Sequence, residues 1–170
     1  MIINLRRCAI ERNEAKFGRL IISQAERLFG ERVLHRYIGV INLSKETSIR
    51  EFYADYLDTF HRLDAEAVAM FYTQPCLFIT DQTITLMHDG DEIERLFGEI
   101  ISGLIAKDYD HSVVEDLSVK LLSEHLAQVS GLAIRYRKDG TELEKAGASY
   151  VLQFSANAWK FVSAMTYPAP

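Results

Sequence analysis

The sequence has few of the residues that cross-link or stiffen a small secreted protein. It holds two cysteines, Cys8 and Cys76, and three prolines among 170 residues. The cysteines lie far apart and outside any metal-ligand spacing, so we expect two free thiols in a reducing compartment rather than a disulfide or a zinc site. A chain of this length buries roughly two-thirds of the surface that it exposes when unfolded, which is enough for a core without cross-links.

Long apolar runs are missing as well, although apolar residues make up 48% of the chain. No stretch reaches the roughly 18 consecutive apolar residues that are typical of a membrane-spanning helix. Arg6 and Arg7 interrupt the first apolar residues, which argues against a secretory signal. The sequence therefore predicts a cytoplasmic protein with no membrane partner.

Acidic residues are scarce at the N-terminal end and abundant elsewhere. Residues 1–45 hold nine Lys and Arg and four Asp and Glu, a net charge of +5, whereas residues 46–170 hold ten and twenty, a net charge of −10. A body this acidic repels phosphate groups, so we expect no nucleic-acid partner. The basic segment could fold onto the acidic body or hold a partner, and the sequence leaves both open.

Recognisable catalytic and cofactor motifs are absent. The five histidines are scattered, and none stands at ligand spacing from another histidine, a cysteine or a carboxylate on one element. There is no glycine-rich phosphate loop and no Gly-x-Ser-x-Gly. We therefore expect neither a metal ion nor a cofactor.

Helical periodicity is the main pattern of the N-terminal part. It predicts a helix between Asn13 and Gly30. The following stretch, Val33–Leu43, is rich in β-branched residues and indicates either an edge strand or an irregular connector. We divide the chain here into a basic extension with one helix, residues 1–43, and a main α+β domain, residues 44–170.

Aromatic residues dominate the next helix, which is predicted from about Ser44–Thr47 to His61. Its apolar positions recur at helical spacing and should face a core: Ile49, Phe52, Tyr53, Tyr56 and Phe60. Asp64 is placed to cap a short helix that follows.

The second half of the sequence predicts strands around one further helix. Two short strands, Cys76–Thr80 and Thr83–Met87, come first, and Asp89 then opens an amphipathic helix. After Lys107 the apolar period changes to two, which predicts four long antiparallel strands. Gly131 lies where the alternation changes phase, so we expect a bulge or bend at that residue.

This order of elements resembles the superfamily named after nuclear transport factor 2, which includes SnoaL-like polyketide cyclases and ketosteroid isomerases. The likeness spans residues 46–167. It implies a cone-shaped, strongly curved antiparallel sheet packed on N-terminal helices, with a pocket for a small apolar molecule and a homodimer formed through the outer sheet face. The phrases that carry it are Phe52-Tyr53, Leu63-Asp64, Val68-Ala69-Met70-Phe71, Cys76-Leu77-Phe78-Ile79-Thr80, Asp91-Glu92-Ile93, Arg135-Tyr136-Arg137-Lys138-Asp139-Gly140, Tyr150-Val151-Leu152-Gln153-Phe154 and Trp159-Lys160-Phe161.

The resemblance to the isomerases also implies candidate catalytic residues. Asp81 would be the general base, although the alignment counted from Phe71 puts Thr80 at that position. Tyr150 occupies the place of the second acid and could donate to an oxyanion. Tyr53 and Tyr56 lie near the position of a tyrosine donor. The specific acid pair of the isomerases is missing, which argues against steroid isomerisation.

The candidate ligand-binding residues are Phe78, Thr80, Tyr136 and Trp159. Three functions remain open at this point. The first is binding of a small apolar ligand without chemistry. The second is a proton-transfer enzyme of the isomerase, cyclase or dehydratase kind with Asp81 as its base. The third is an interaction module that dimerises through its sheet and holds a partner with the N-terminal helix.

Overall fold

The computed structural model describes residues 31–169, so the helix predicted between Asn13 and Gly30 lies outside the described residues. The chain divides after Lys45, and Glu46–Pro170 form one compact unit. Within the described residues, three helices and six strands follow one another in the order α1 (Glu31–His61), α2 (Ala65–Ala69), β1 (Tyr72–Ile79), β2 (Ile84–Met87), α3 (Gly90–Ile105), β3 (Tyr109–Leu121), β4 (Leu126–Arg137), β5 (Glu142–Ser155) and β6 (Ala158–Pro168).

Helix α1 is longer than the sequence predicts. It runs unbroken through Val33–Leu43, so the expectation of a strand or irregular connector there is wrong. The difference in helix propensity between β-branched and straight-chain residues is below about 1 kcal/mol per residue. Extending an existing helix also avoids the cost of nucleation, so a β-branched run can continue one.

The aromatic stripe of α1 is buried as the periodicity predicts. Ile49, Tyr53, Tyr56 and Phe60 are each at most 6% exposed, and Phe52 packs against the same cluster. These side chains meet the inner face of the sheet and form the core of the unit. Two of these buried rings, Tyr53 and Tyr56, carry phenol hydroxyls, which need hydrogen-bond partners inside the core.

Side-chain caps fix the starts of both shorter helices. Asp64 accepts a hydrogen bond from the Ala67 amide at 3.0 Å, and Asp89 accepts one from the Glu92 amide at 3.0 Å. The Glu92 carboxylate in turn accepts from the His88 amide at 2.8 Å. The predicted starts near Asp64 and Asp89 are therefore confirmed, with capping oxygens that satisfy amides the first helical turn leaves free.

The six strands form one curved, open sheet in the order β2-β1-β6-β5-β4-β3. Strands β1 and β6 are parallel, and every other neighbouring pair is antiparallel. Strand β1 begins at Tyr72, four residues earlier than predicted, although Pro75 lies inside it. Its pairing with β6 shifts between Tyr72 and Leu77, so the missing amide of Pro75 falls where the ladder is irregular.

The bend expected at Gly131 is built by the neighbouring strand. Two residues of β3, Asp116 and Leu117, stand opposite Gly131 alone, and Asp116 has a φ of 52°. A Cβ on Gly131 would lie 2.8 Å from Val114 Cγ1. The glycine thus makes room for a bulge in β3 rather than forming one itself.

No helix among residues 31–169 combines the length and apolar character that crossing a bilayer requires.

Candidate functional site

A cavity of about 190 Å³ lies between α3, the β1–β2 hairpin and the inner face of the sheet. Its walls are apolar side chains from these elements: Phe78, Met87, Leu96, Phe97 and Ile100. A cavity of about 150 Å³ with such a lining holds benzene. The volume is therefore suited to a molecule built on a single ring.

The inner end of the cavity is formed by phenol rings. Tyr56, Tyr72 and Tyr150 line it, and each is at most 7% exposed. The hydroxyls of Tyr56 and Tyr72 are 3.3 Å apart. Tyr53 lies behind them, with its ring centre 5.7 Å from that of Tyr150. The pocket therefore ends on a connected group of hydroxyls inside an otherwise apolar core.

These phenols stay protonated at neutral pH. Burial is the largest cause that raises the pKa of Tyr53, Tyr56, Tyr72 and Tyr150, because the phenolate would lose its solvation. Each hydroxyl consequently keeps its proton, either for a neighbouring hydroxyl of the cluster or for a ligand. A ligand oxygen at this end of the cavity would meet hydrogen-bond donors.

Arg135 is the one cation on the described cavity lining, and its side chain is 25% exposed. Its guanidinium donates to the Glu144 carboxylate, and its central carbon lies 5.9 Å from the centre of the Phe60 ring. The other oxygen of Glu144 is 3.6 Å from Lys107 Nζ. One carboxylate thus faces two cations, so this group keeps a net positive charge.

Threonines form the outer rim, where Thr80, Thr83, Thr85 and Thr166 line the cavity. The Thr80 and Thr83 hydroxyl oxygens are 3.0 Å apart, and Thr80 Oγ1 accepts from the Thr83 amide at 3.0 Å. These bonds hold the tight β1–β2 turn at the mouth. All four threonines are exposed, so the rim offers hydroxyls to water or to a ligand.

The structure brings four of the predicted site residues to the cavity: Tyr56, Phe78, Thr80 and Tyr150. Tyr53 contacts the lining from behind. Tyr136 instead stacks on His111 with ring centres 5.1 Å apart, and Trp159 packs on Phe154 at 5.2 Å. Neither of these two rings lines the cavity.

Asp81 lies in the exposed bend after β1 and does not line the cavity. None of the described residues that line the cavity is a carboxylate or a histidine. Within residues 31–169, no three histidine, cysteine or carboxylate side chains come together as metal ligands. The described lining can bind and orient a molecule, but none of its side chains is a carboxylate base of the kind that Asp81 was predicted to supply.

Among the titratable residues of the cavity lining, Tyr72 and Arg135 were not predicted. Tyr72 directly follows a segment with helical periodicity that ends at Phe71. The sequence therefore did not indicate that Tyr72 begins β1. The sequence does contain a signal for Arg135. Ala127 and Val129 face inward along β4, and counting on in steps of two places Arg135 on the same inner face. A charge at an inward position of a buried strand is unusual and marks a functional candidate.

Comparisons with known proteins agree with this architecture. A family described as NTF2-like protein (DUF6841) matches residues 45–169. An NTF2-like protein with a cystatin-like fold from Novosphingobium aromaticivorans has a TM-score of 0.64 at 17% identity, over 79% of this chain and 89% of that one. No curated protein sequence matches significantly.

Further solved structures share the fold. A domain of unknown function from Nostoc punctiforme gives a TM-score of 0.61 at 18% identity, over 75% of this chain and 78% of that one. A candidate dehydratase of the NTF2-like family from Streptomyces avermitilis gives 0.60 at 12% identity, over 75% and 97%. At these identities the likeness shows the fold alone. Because the family matches three-quarters of its length and the sheet is curved and open, the chain belongs to the NTF2-like proteins of the DUF6841 family.

Proposed function

We propose that this protein binds a small, mostly apolar molecule in the cavity and performs no chemistry on it. The observation that carries this proposal is the apolar cavity of about 190 Å³ that ends on the buried hydroxyls of Tyr56, Tyr72 and Tyr150. Apolar walls with a few convergent polar groups are typical of small-molecule sites. A cytoplasmic location, with Cys76 a buried free thiol, is part of the same proposal.

A proton-transfer role has less support. A general base has to reach the proton that it removes, within hydrogen-bond distance or through one water. Asp81 is exposed outside the cavity, and protonated phenols are donors rather than bases. Binding is therefore the function that the described residues favour.

The binding proposal predicts that filling the cavity abolishes ligand stabilisation. Ala164 lies on the cavity lining beside Tyr150, so Ala164→Leu should occupy part of its volume. With toluene or phenol as the probe, the wild-type protein should gain stability with rising ligand, by about 2.7 kcal/mol at one hundred times the dissociation constant. Ala164→Leu should show little or no gain in a thermal-shift titration.

Met165→Leu is the matched control, because Met165 is the next residue and alternation places it on the outer face of the sheet. This variant should respond to the probe as the wild type does. Equal responses from the wild type and Ala164→Leu would mean that the probes bind elsewhere, and the binding proposal would then be wrong.

We also propose that a second copy of the chain covers the outer sheet face, as the superfamily resemblance implies. Strand alternation places uncharged side chains at the centre of this face: Leu77, Ser130, Leu132, Ser149, Val151, Ser163 and Met165. An uncharged centre on so acidic a domain is typical of an interface, whose core is depleted of charge. A two-fold dimer would place this patch against itself.

The dimer proposal predicts that Val151→Lys converts dimer to monomer, because the charge would be buried without a partner. Light scattering coupled to size-exclusion chromatography measures the mass directly. Gln153→Lys, at an exposed position near the end of the same strand, should leave the dimer intact. A wild-type protein that is monomeric at every concentration would contradict the proposal.

A further inference from the structure

We infer that the ligand carries a carboxylate on a frame of about one ring, and that Arg135 is the residue that recognises it. This inference rests on the proposed binding function and deepens it. It follows from where Arg135 lies, from the charges around it and from the donors that share its cavity.

Arg135 belongs to the pocket by its position on β4. It stands in the inward register of that strand, paired with Glu144 of β5, and it lines the cavity together with Tyr150 and Phe60. Its side chain is only 25% exposed. A cation held this far from water is costly unless an anion or strong acceptors face it.

Glu144 holds the guanidinium of Arg135 but accepts only one of its hydrogen-bond donors. One terminal nitrogen of Arg135 donates to Glu144, and no hydrogen bond joins its other terminal nitrogen to a described residue. Glu144 also pairs with Lys107, 3.6 Å away. The shared carboxylate therefore holds Arg135 in place and leaves a charged donor for the cavity.

The rest of the cavity suits an anionic oxygen. Its described lining has no acidic side chain that would repel a carboxylate. The buried phenols of Tyr56, Tyr72 and Tyr150 keep their protons, and because the bond between Tyr56 and Tyr72 uses only one of them, the cluster retains hydrogen-bond donors. A planar guanidinium pairs with a carboxylate more strongly than with a neutral group, and neutral hydroxyls can complete the bonding.

The apolar walls of the cavity limit the size and polarity of the rest of the ligand. Phe78, Phe97 and Met87 surround a volume slightly above the roughly 150 Å³ that accommodates benzene. A single ring with one carboxylate fits such a space. Benzoate is accordingly the simplest probe of this chemistry, and methyl benzoate is its uncharged counterpart of similar shape.

Isothermal titration of the full chain with benzoate and with methyl benzoate tests the inference. Wild-type protein should bind benzoate about tenfold more tightly or better, because charge-assisted hydrogen bonds are about twice as strong as neutral ones. Arg135→Met should lose that preference while binding methyl benzoate as before. Arg137→Met is the control, since Arg137 donates to Thr141 and to the Glu142 carbonyl and does not line the cavity.

A second variant keeps the inference testable if Arg135→Met does not fold. Glu144→Gln removes the carboxylate that Arg135 shares with Lys107, so it should tighten benzoate binding severalfold and leave methyl benzoate unchanged. Equal affinities for the two probes in the wild type would overturn the carboxylate inference but not the binding proposal. Failure of both probes to bind would overturn the binding proposal itself.

Discussion

Phe161→Ala should lower the free energy of unfolding by about 3–5 kcal/mol, which is the usual cost of truncating a buried phenylalanine. Phe161 is fully buried. Its ring lies at the centre of the aromatic core, with centres 4.6 to 6.4 Å from those of Phe52, Tyr53, Tyr56, Tyr72 and Tyr150. Because these rings come from α1, β1 and β5, removing Phe161 loosens the packing of all three elements at once.

Urea unfolding followed by circular dichroism measures this loss through the midpoint and slope. Phe154→Ala is the matched control, because Phe154 lies at the edge of the core, is only partly buried, and has its ring contacts with Trp159 and His125. Phe154→Ala should lower the free energy of unfolding by less than half of the loss at Phe161. A loss at Phe161 no larger than that at Phe154 would show that the central rings close over the gap, contrary to the packing argument.

The fold could be predicted from the sequence where one periodicity holds over a long segment. The stripe from Ile49 to Phe60 and the alternation after Lys107 both bury one face, so pattern and packing give the same answer. The prediction for Val33–Leu43 was wrong because a high content of β-branched residues is a weak indicator of a strand, and it did not interrupt the helix here. Gly131 marked the right place in the sheet, but one sequence cannot show which of two paired strands carries the extra residue.

The site was predictable only in part, because Thr80 and Asp81 lie in the turn after β1, where strand alternation no longer indicates which way a side chain faces. Thr80 lines the cavity and Asp81, the next residue, does not. Thr80, the residue that the alignment counted from Phe71 puts at the base position, is thus the one of the two that lines the cavity. Arg135 and Tyr72 come together from strands more than sixty residues apart, and that proximity depends on the parallel pairing of β1 with β6.

Stability should fall steeply in alkali, because four phenols are buried in one cluster. Burial raises the pKa of Tyr53, Tyr56, Tyr72 and Tyr150 above the ordinary value of about 10. The unfolded chain therefore loses these protons at a pH where the folded chain still holds them. Each such proton lowers the free energy of unfolding by about 1.4 kcal/mol per pH unit.

The sign of the effect follows from the direction of the shifts. Stability from the phenols is fully present below about pH 10 and is lost as the pH rises toward the folded-state pKa values. With all four contributing, the loss approaches about 5 kcal/mol per pH unit, which is comparable with the total stability of an ordinary domain. We expect cooperative unfolding within one to two pH units above about pH 10.

Urea midpoints measured at several values between neutral pH and about pH 11 test this dependence. Tyr56→Phe should reduce the alkaline slope by about one proton, since it removes one buried phenol and keeps the ring. Tyr167→Phe is the control, because that ring is 44% exposed and lies outside the buried cluster. An unchanged slope in Tyr56→Phe would mean that the cluster ionises in the folded protein, and the donor role assigned to these hydroxyls would fail with it.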